Sequence, residues 1–381
     1  MSATKNPKAA GLRYKRIVAK FGTNLLTGGS DDLDLAVMGR LAQQVASLHE
    51  QEAEVIIVTS GAIAAGRQQL RAGKGRKDMP FRQVLAAVGQ SHLMQTYDEL
   101  FAAHGITVAQ TLLTRRDLSD RQGYLNARNT LLSLLELRVL PIVNENDVVA
   151  VEEIAGAMIG DNDNLSALVA NLVDADLLAL LTDIDGLYDS DPRRNPEALL
   201  VRRIDRIDEV TERYAGEAGS GRGVGGMVTK VQAARLATAG GADVVIANGR
   251  EPEVLPRLAA GEALGSLFPA GVDRLESRKR WMRAGLSLKG SVVVDDGARE
   301  ALLGDNRSLL PAGIAEVRGD FERGDAIAVL GGQGKEIAYG IANYSSKDLE
   351  LIQGLRSDKI EAKLGYQYGH EAVHRDNLVL L

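Results

Sequence analysis

Cysteine is absent from this chain of 381 residues. That excludes disulfides, thiol nucleophiles and cysteine-based metal sites, and it fits a reducing cytosol. Neither sign of charge is in marked excess. The formal net charge of -6 is small for this length and argues for neither a nucleic acid partner nor an anionic membrane surface. Long apolar runs are missing too: LLALL at 177–181 is bounded by Asp176 and Asp183, far short of a membrane span. The first sixteen residues carry five Lys or Arg, with no following apolar run long enough for a signal peptide. They read as a flexible basic tail. The sequons at Asn164, Asn306 and Asn343 then read as chance matches in a cytoplasmic protein. No GxxxxGK[ST] occurs, so any nucleotide is held without a P-loop.

What is present is an ordinary globular composition, 45% hydrophobic and 25% charged, long enough for two domains. Short apolar runs alternate with helical patterns: RIVAKFG at 16–22, VIIVTSG at 55–61, ITVAQTL at 106–112, VLPIVNE at 139–145, LLALLTD at 177–183 and DVVIANG at 243–249. These read as buried parallel strands. Between them lie amphipathic stripes such as Val37, Leu41, Val45 and Leu48. The alternation predicts a three-layer αβα sandwich with a mostly parallel sheet over 16–268. From Ser277 the pattern changes to short glycine-punctuated strands such as SVVVDDG, DAIAVLG and EIAYGIANY, which suit a small β-barrel. The expected organisation is a tail over 1–15, the α/β domain over 16–268, a linker over 269–276 and a barrel over 277–381.

The densest polar signal is GDNDNLSA at 160–167. Asp161, Asn162, Asp163 and Asn164 precede Leu165, Leu168, Val169 and Leu172, whose spacing predicts one apolar helical face with the polar cluster at its N-terminus. A helix cap needs one such residue, not four. Crowded carboxylates of this kind orient cations or a substrate amine. In parallel sheets ligands bind beyond the carboxyl ends of the strands, and those ends carry Lys20 and Gly22, then Thr59, Ser60 and Gly61, then Asn144 to Asp147, then Thr182 and Asp183. Lys20 alone would read equally well as a snorkelling surface residue. Its company argues for a site.

A second glycine cluster, GSGRGVGGMVTK at 219–230, opens a helix expected from about Val228 to Ala239. Gly221, Gly223 and Gly226 spell GxGxxG, with Asp243 near the offset of a ribose-binding acid. The fingerprint must follow a strand, and RYAGEAGS has no strand pattern. The cluster reads better as a phosphate-covering loop with Lys230 just inside the helix. His370 to His374 spell HExxH, which needs a helix to bring both histidines to one face. Here the motif follows LGYQYG and runs into a strand-like segment, so no metal site is expected. His49, His92 and His104 lie in helical patterns with no partner signal.

Two lysines, glycine-rich anion loops and an Asp/Asn cluster, without a placed histidine, suit phosphoryl transfer to a group that is already ionised, such as a carboxylate. Lys20 and Lys230 would flank the moving phosphoryl group, Mg²⁺ would bridge the nucleotide phosphates, and Asp163 would hold both ammonium groups.

AKFGTNLLTGGS, VTSGAIAAGR, LLAAVGQS, LNARNTL, PIVNENDVVA, GDNDNLSALVA, LLTDIDGLYDSDPR, GGMVTK, SRKRW and LGYQYGHEAVHRD occur in that order. With these elements the chain resembles the glutamate 5-kinases of the amino acid kinase family, which carry a C-terminal PUA domain. VNEND followed by GDNDNLSA sets it apart from aspartokinases, carbamate kinases and uridylate kinases. The resemblance implies ATP-dependent phosphorylation of the L-glutamate γ-carboxylate as the first step of proline synthesis. It also implies feedback inhibition by proline, a homotetramer and functional coupling to glutamyl phosphate reductase. Carried over by residue, Lys20, Lys230 and Asp163 are catalytic. Ser60, Gly61, Asn146, Asp147 and Asn162 bind glutamate, with the Asp147 carboxylate suited to the α-amino group. Lys20, Thr182, Asp183, Val224, Gly225, Gly226, Met227 and Lys230 hold ATP. Val224 and Val228 stand where many relatives have hydroxyl residues, which leaves backbone amides to serve the nucleotide. Ala19 and Phe21 replace commoner aliphatic neighbours of the first lysine.

PUA domains elsewhere bind RNA, so an RNA-binding protein with a degenerate kinase domain is the rival reading. Residues 277–381 contain 15 Lys or Arg and 15 Asp or Glu, whereas RNA-binding modules usually present a basic face. The cluster Arg278, Lys279, Arg280 and Arg283 beside Trp281 reads as domain-junction packing.

Overall fold

Uninterrupted apolar runs become the central strands, because a parallel sheet covered on both faces has no polar side. The computed structural model describes residues 11–71, 78–150, 162–217, 226–271, 288–305 and 307–381. Within 1–118 and 128–272, the described residues form one unit; those of 119–127 and 273–381 form another.

In the first unit the strands are β1 (Arg16–Phe21), β2 (Glu54–Val58), β3 (Val108–Leu113), β4 (Leu140–Glu145), β5 (Leu177–Thr182), β6 (Asp243–Asn248) and β7 (Ser266–Phe268). They pair in the order β3-β4-β2-β1-β5-β6-β7. All neighbours are parallel except β6 with β7. The mostly parallel sheet expected from the sequence is therefore present, with a short antiparallel edge strand that its three residues did not announce. Every residue of β4 and β5 is buried. Because β4, β2, β1 and β5 are adjacent and parallel, their polar ends share one rim.

The helices of this unit are α1 (Thr23–Leu26), α2 (Leu35–Glu50), α3 (Ala62–Leu70), α4 (Met79–Ala102), α5 (Arg115–Ser119), α6 (Arg121–Glu136), α7 (Asn162–Leu172), α8 (Glu209–Glu217), α9 (Met227–Gly240) and α10 (Val254–Ala259). α5 and α6 straddle the division between the units. The Asp34 side chain caps α2 by accepting from Ala36 N and Val37 N. The stripe Val37, Leu41, Val45 and Leu48 is buried against the sheet. β2 stops at Val58, three residues before the expected end of its run, because Gly61 at φ 101° turns the chain directly into α3. That turn leaves Thr59, Ser60 and Gly61 at the rim. In α7, Leu165, Val169 and Leu172 are buried and Leu168 half-buried, the face the spacing predicts.

In the second unit, β8 (Gly290–Val294), β9 (Ile314–Gly319), β10 (Ala326–Leu330), β11 (Glu336–Ile341) and β12 (Leu378–Leu380) pair in the order β12-β11-β10-β8-β9. α11 (Asp296–Asp305), α12 (Ser346–Ile352) and α13 (Ile360–Leu364) accompany them. Val292, Ile327, Val329 and Ile337 enter one apolar cluster; Ala328, Leu330, Tyr339 and Ile341 enter a second together with Leu125 of α6. The alternation of the strands thus covers both faces. Residues 370–374 contain no helix, so the two histidines of HExxH do not share a helical face. The basic cluster around Trp281 lies outside the described residues. No helix among the described residues is long and apolar enough to cross a membrane.

Candidate active site

Lys20 is the fifth residue of the central strand β1, flanked in register by Val58 and Leu180, and it is 3% exposed. Its Nζ lies 2.6 Å from Asp163 Oδ1, and Lys230 Nζ lies 3.1 Å from Asp163 Oδ2. Asp163 is fully buried in the first turn of α7, and Lys230 is 7% exposed in the first turn of α9. Among the described residues of this cluster, two buried ammonium groups share one carboxylate. A buried positive charge in excess is costly unless an anion joins it. Gly22 at the end of β1 and Gly226 at the start of α9 flank the lysines with backbone that carries no side chain, which lets an anion approach closely.

Thr229, which no sequence motif singles out, adds a contact. Its hydroxyl lies 2.9 Å from Asp163 Oδ2 and 2.8 Å from the Gly226 carbonyl, tying the start of α9 to the carboxylate. The available signal was its position beside Lys230. Val228 is half-buried and Met227 buried at the same helix start. Val224, Gly225 and Asp161 lie outside the described residues.

A row of amides stands beside this cluster. Asn162 Nδ2 faces the Thr59 carbonyl at 2.6 Å, Ser60 Oγ at 2.9 Å and Asn144 Oδ1 at 3.0 Å. Asn144 Oδ1 also accepts from Glu145 N at 2.9 Å, and Asn144 Nδ2 donates to Gln90 Oε1 at 2.7 Å. Thr59 Oγ1 meets Tyr97 OH at 2.7 Å, and burial pushes that phenol's pKa up. Ser60, Asn144 and Asn162 are thus brought together from three strand and helix ends. Asn162 Oδ1, Gln90 Nε2 and Glu145 Oε2 are buried with no hydrogen-bond partner among the described residues.

Asp147 and Asn146 follow β4. Asn146 N donates to the Leu113 carbonyl, and the Asn146 carbonyl accepts from Val149 N and Ala150 N, which builds a tight turn. Gln83 Nε2 holds that turn through the Val148 carbonyl at 3.0 Å. Burial raises the Asp147 carboxyl from its ordinary 3.8 to about 6, with Arg82 opposing the shift. A half-buried carboxylate of this kind gains by meeting a cationic ligand. Thr182 Oγ1 donates to Asp183 Oδ1 at 3.1 Å at the end of β5, and Asp183 is exposed. Asp243, the acid of the GxGxxG reading, accepts from Tyr14 OH at 2.6 Å and Ala270 N at 2.8 Å, both structural bonds.

Comparison with known proteins adds an independent line. The amino acid kinase family profile matches residues 15–248 and the PUA domain profile residues 290–364. A glutamate 5-kinase of Dehalococcoides mccartyi is 53% identical over 368 residues, 97% of this chain and 99% of its own. Those of Herpetosiphon aurantiacus and Pasteurella multocida are 52% and 48% identical, each over 96% of this chain, and over 98% and 99% of their own.

Proposed function

Because the chain belongs to the amino acid kinase family, and within it to the glutamate 5-kinases, we propose that it transfers the γ-phosphoryl group of ATP to the γ-carboxylate of L-glutamate. The products are L-glutamyl 5-phosphate and ADP. The observation that carries the reading is the buried pair Lys20 and Lys230 on the single carboxylate of Asp163. It supplies positive charge on a rigid frame where charge develops between two anions.

The acceptor carboxylate has an unperturbed pKa near 4, so its oxygen attacks the γ-phosphorus without prior deprotonation. The bond to the bridging β–γ oxygen breaks, and ADP leaves with its electron pair. Lys20 and Lys230 hold the phosphoryl oxygens, Asp163 keeps the two ammonium groups apart and in place, and Thr229 fixes Asp163. Ser60, Gly61, Asn146, Asp147 and Asn162 take the amino acid. Thr182, Asp183, Gly226 and Met227, with Val224 and Gly225, take the nucleotide. Both oxygens of Asp163 face lysines, which commits this carboxylate to the ammonium groups. Mg²⁺ is expected on the nucleotide phosphates, where it neutralises charge.

The same reading extends to a cytoplasmic homotetramer, inhibited by proline and coupled to glutamyl phosphate reductase in proline synthesis. An RNA-binding protein with a degenerate kinase domain is not favoured, since the lysine–aspartate–lysine cluster is intact. The test is ADP release from Mg-ATP with glutamate, aspartate, N-acetylglutamate, carbamate or UMP, with hydroxylamine to trap any acyl phosphate. Glutamate-dependent release with hydroxamate formation is expected. Turnover with another acceptor instead would overturn the substrate, and silence with all of them would overturn the kinase reading.

A further inference from the structure

Backbone groups dictate the orientation of each amide in the row Asn162, Asn144 and Gln90. The Thr59 carbonyl can only accept, so Asn162 turns Nδ2 towards it and Oδ1 away. The Glu145 N–H can only donate, so Asn144 turns Oδ1 towards it and presents Nδ2 to Gln90. Gln90 must then place Oε1 against Asn144, which leaves its Nε2 over. The polarity runs through two hydrogen bonds, of 3.0 and 2.7 Å, from one end of the row to the other.

The two ends are of opposite kind. Asn162 Oδ1 is a buried acceptor and Gln90 Nε2 a buried donor, each without a partner among the described residues. Leaving either unmade is costly, so each end is complementary to a ligand group of the opposite kind, a donor at Asn162 and an acceptor at Gln90. The headgroup of an α-amino acid carries both: its ammonium donates and its α-carboxylate accepts. Asp147 beyond β4 supplies the opposite charge for the ammonium. Glu145 joins the row through its backbone N–H rather than its carboxylate.

We propose that Gln90, on α4, is a substrate-specificity residue whose Nε2 donates a hydrogen bond to the α-carboxylate of the amino-acid substrate. This assignment rests on the reading of the site as an amino-acid kinase. It adds a residue that lies on no strand end, and it explains why a half-buried glutamine holds a buried donor unused.

The test compares L-glutamate with L-isoglutamine, its α-amide, whose γ-carboxylate is intact. Gln90→Glu keeps an oxygen for Asn144 Nδ2 and replaces the free donor by an anion. The KM for glutamate is expected to rise about tenfold or more, the scale of one charge-assisted hydrogen bond, while kcat and the KM for ATP hold within about twofold. The KM for the α-amide, which can donate to the new carboxylate, does not rise, so the preference for glutamate shrinks. Equal rises for both acceptors would reduce Gln90 to a packing role, and no rise for either would remove it from the site. Gln90→Ala, checked for folding by circular dichroism, repeats the comparison without added charge and is expected to shrink the preference in the same direction. Wild-type protein that phosphorylates neither acceptor would overturn the reading of the site and this assignment with it. Wild-type turnover of glutamate with unchanged preference in both variants would overturn the assignment alone.

Discussion

Gly89 of α4 meets Gly66 of α3 backbone to backbone: a Cβ at Gly89 would overlap the Ala62 carbonyl and the Gly66 nitrogen, and one at Gly66 would overlap the Leu85 carbonyl. This approach seats the helix carrying Gln90 against the helix that Gly61 opens, so the amide row depends on two missing side chains. Gly89→Ala forces the helices apart. It is expected to cost about 1–3 kcal/mol of stability or more, as overpacking does. It should also raise the KM for glutamate more than that for ATP. Thermal melting and steady-state kinetics check both, and a variant as stable as wild type would show that the contact can relax.

Lys230→Ala removes one of the two ammonium groups on Asp163 and is expected to lower kcat by about two orders of magnitude or more in a folded protein. Asp163→Ala acts differently, because it removes the carboxylate that both buried ammonium groups face; a stability loss of about 3–5 kcal/mol is expected. Turnover near the wild-type rate in folded Lys230→Ala would refute the catalytic role. Undiminished stability in Asp163→Ala would show that other groups compensate the lysines.

The acid limb of activity should belong to Asp147. Its carboxyl titrates at about 6 because burial disfavours the charged form, and an ammonium ligand needs that charge. As the pH falls through about 6, kcat/KM for glutamate is expected to drop, about tenfold per unit below it. The stability effect has the sign of a raised pKa. The folded state holds the proton more tightly than the unfolded chain, so this contribution is complete below the ordinary 3.8 and is lost as the pH rises through about 6. In Asp147→Asn the limb should vanish. A pH profile for that variant with the same limb would assign the titration elsewhere.

The strands were legible because parallel sheets bury whole apolar runs, and the positions of Lys20 and Asp163 at a strand end and a helix start were legible because polar residues there stand out against such runs. Gln90 and Thr229 were not. Each acts through a partner distant in the chain, Asn144 lying 54 residues from Gln90 and Asp163 lying 66 from Thr229. Neither breaks a local pattern. The grouping of residues 119–127 with the second unit was hidden for a related reason: α6 is a regular amphipathic helix along its whole length, and periodicity does not say which surface a given turn will cover.

That grouping makes Leu125 the measure of how firmly the segment belongs to its unit. The side chain is fully buried among Ala328, Leu330, Tyr339, Ile341 and Val379, residues of β10, β11 and β12. Beside it, Arg121 pairs with Asp325, and Arg323 Nη2 donates to Asn126 Oδ1 at 2.6 Å. The Arg121 and Arg323 side chains are only partly buried, and such polar contacts contribute little beside a fully buried leucine, so the leucine is expected to carry the attachment. Leu125→Ala should lower the stability of this unit by about 2–5 kcal/mol, read as faster amide exchange in β10 and β11. Leu137→Ala, at a position 73% exposed just beyond α6, should stay within about 0.5 kcal/mol of wild type. If Leu125→Ala left exchange in those strands unchanged, the segment would be held by its polar contacts, and Arg121→Ala would then be the variant that loosens it.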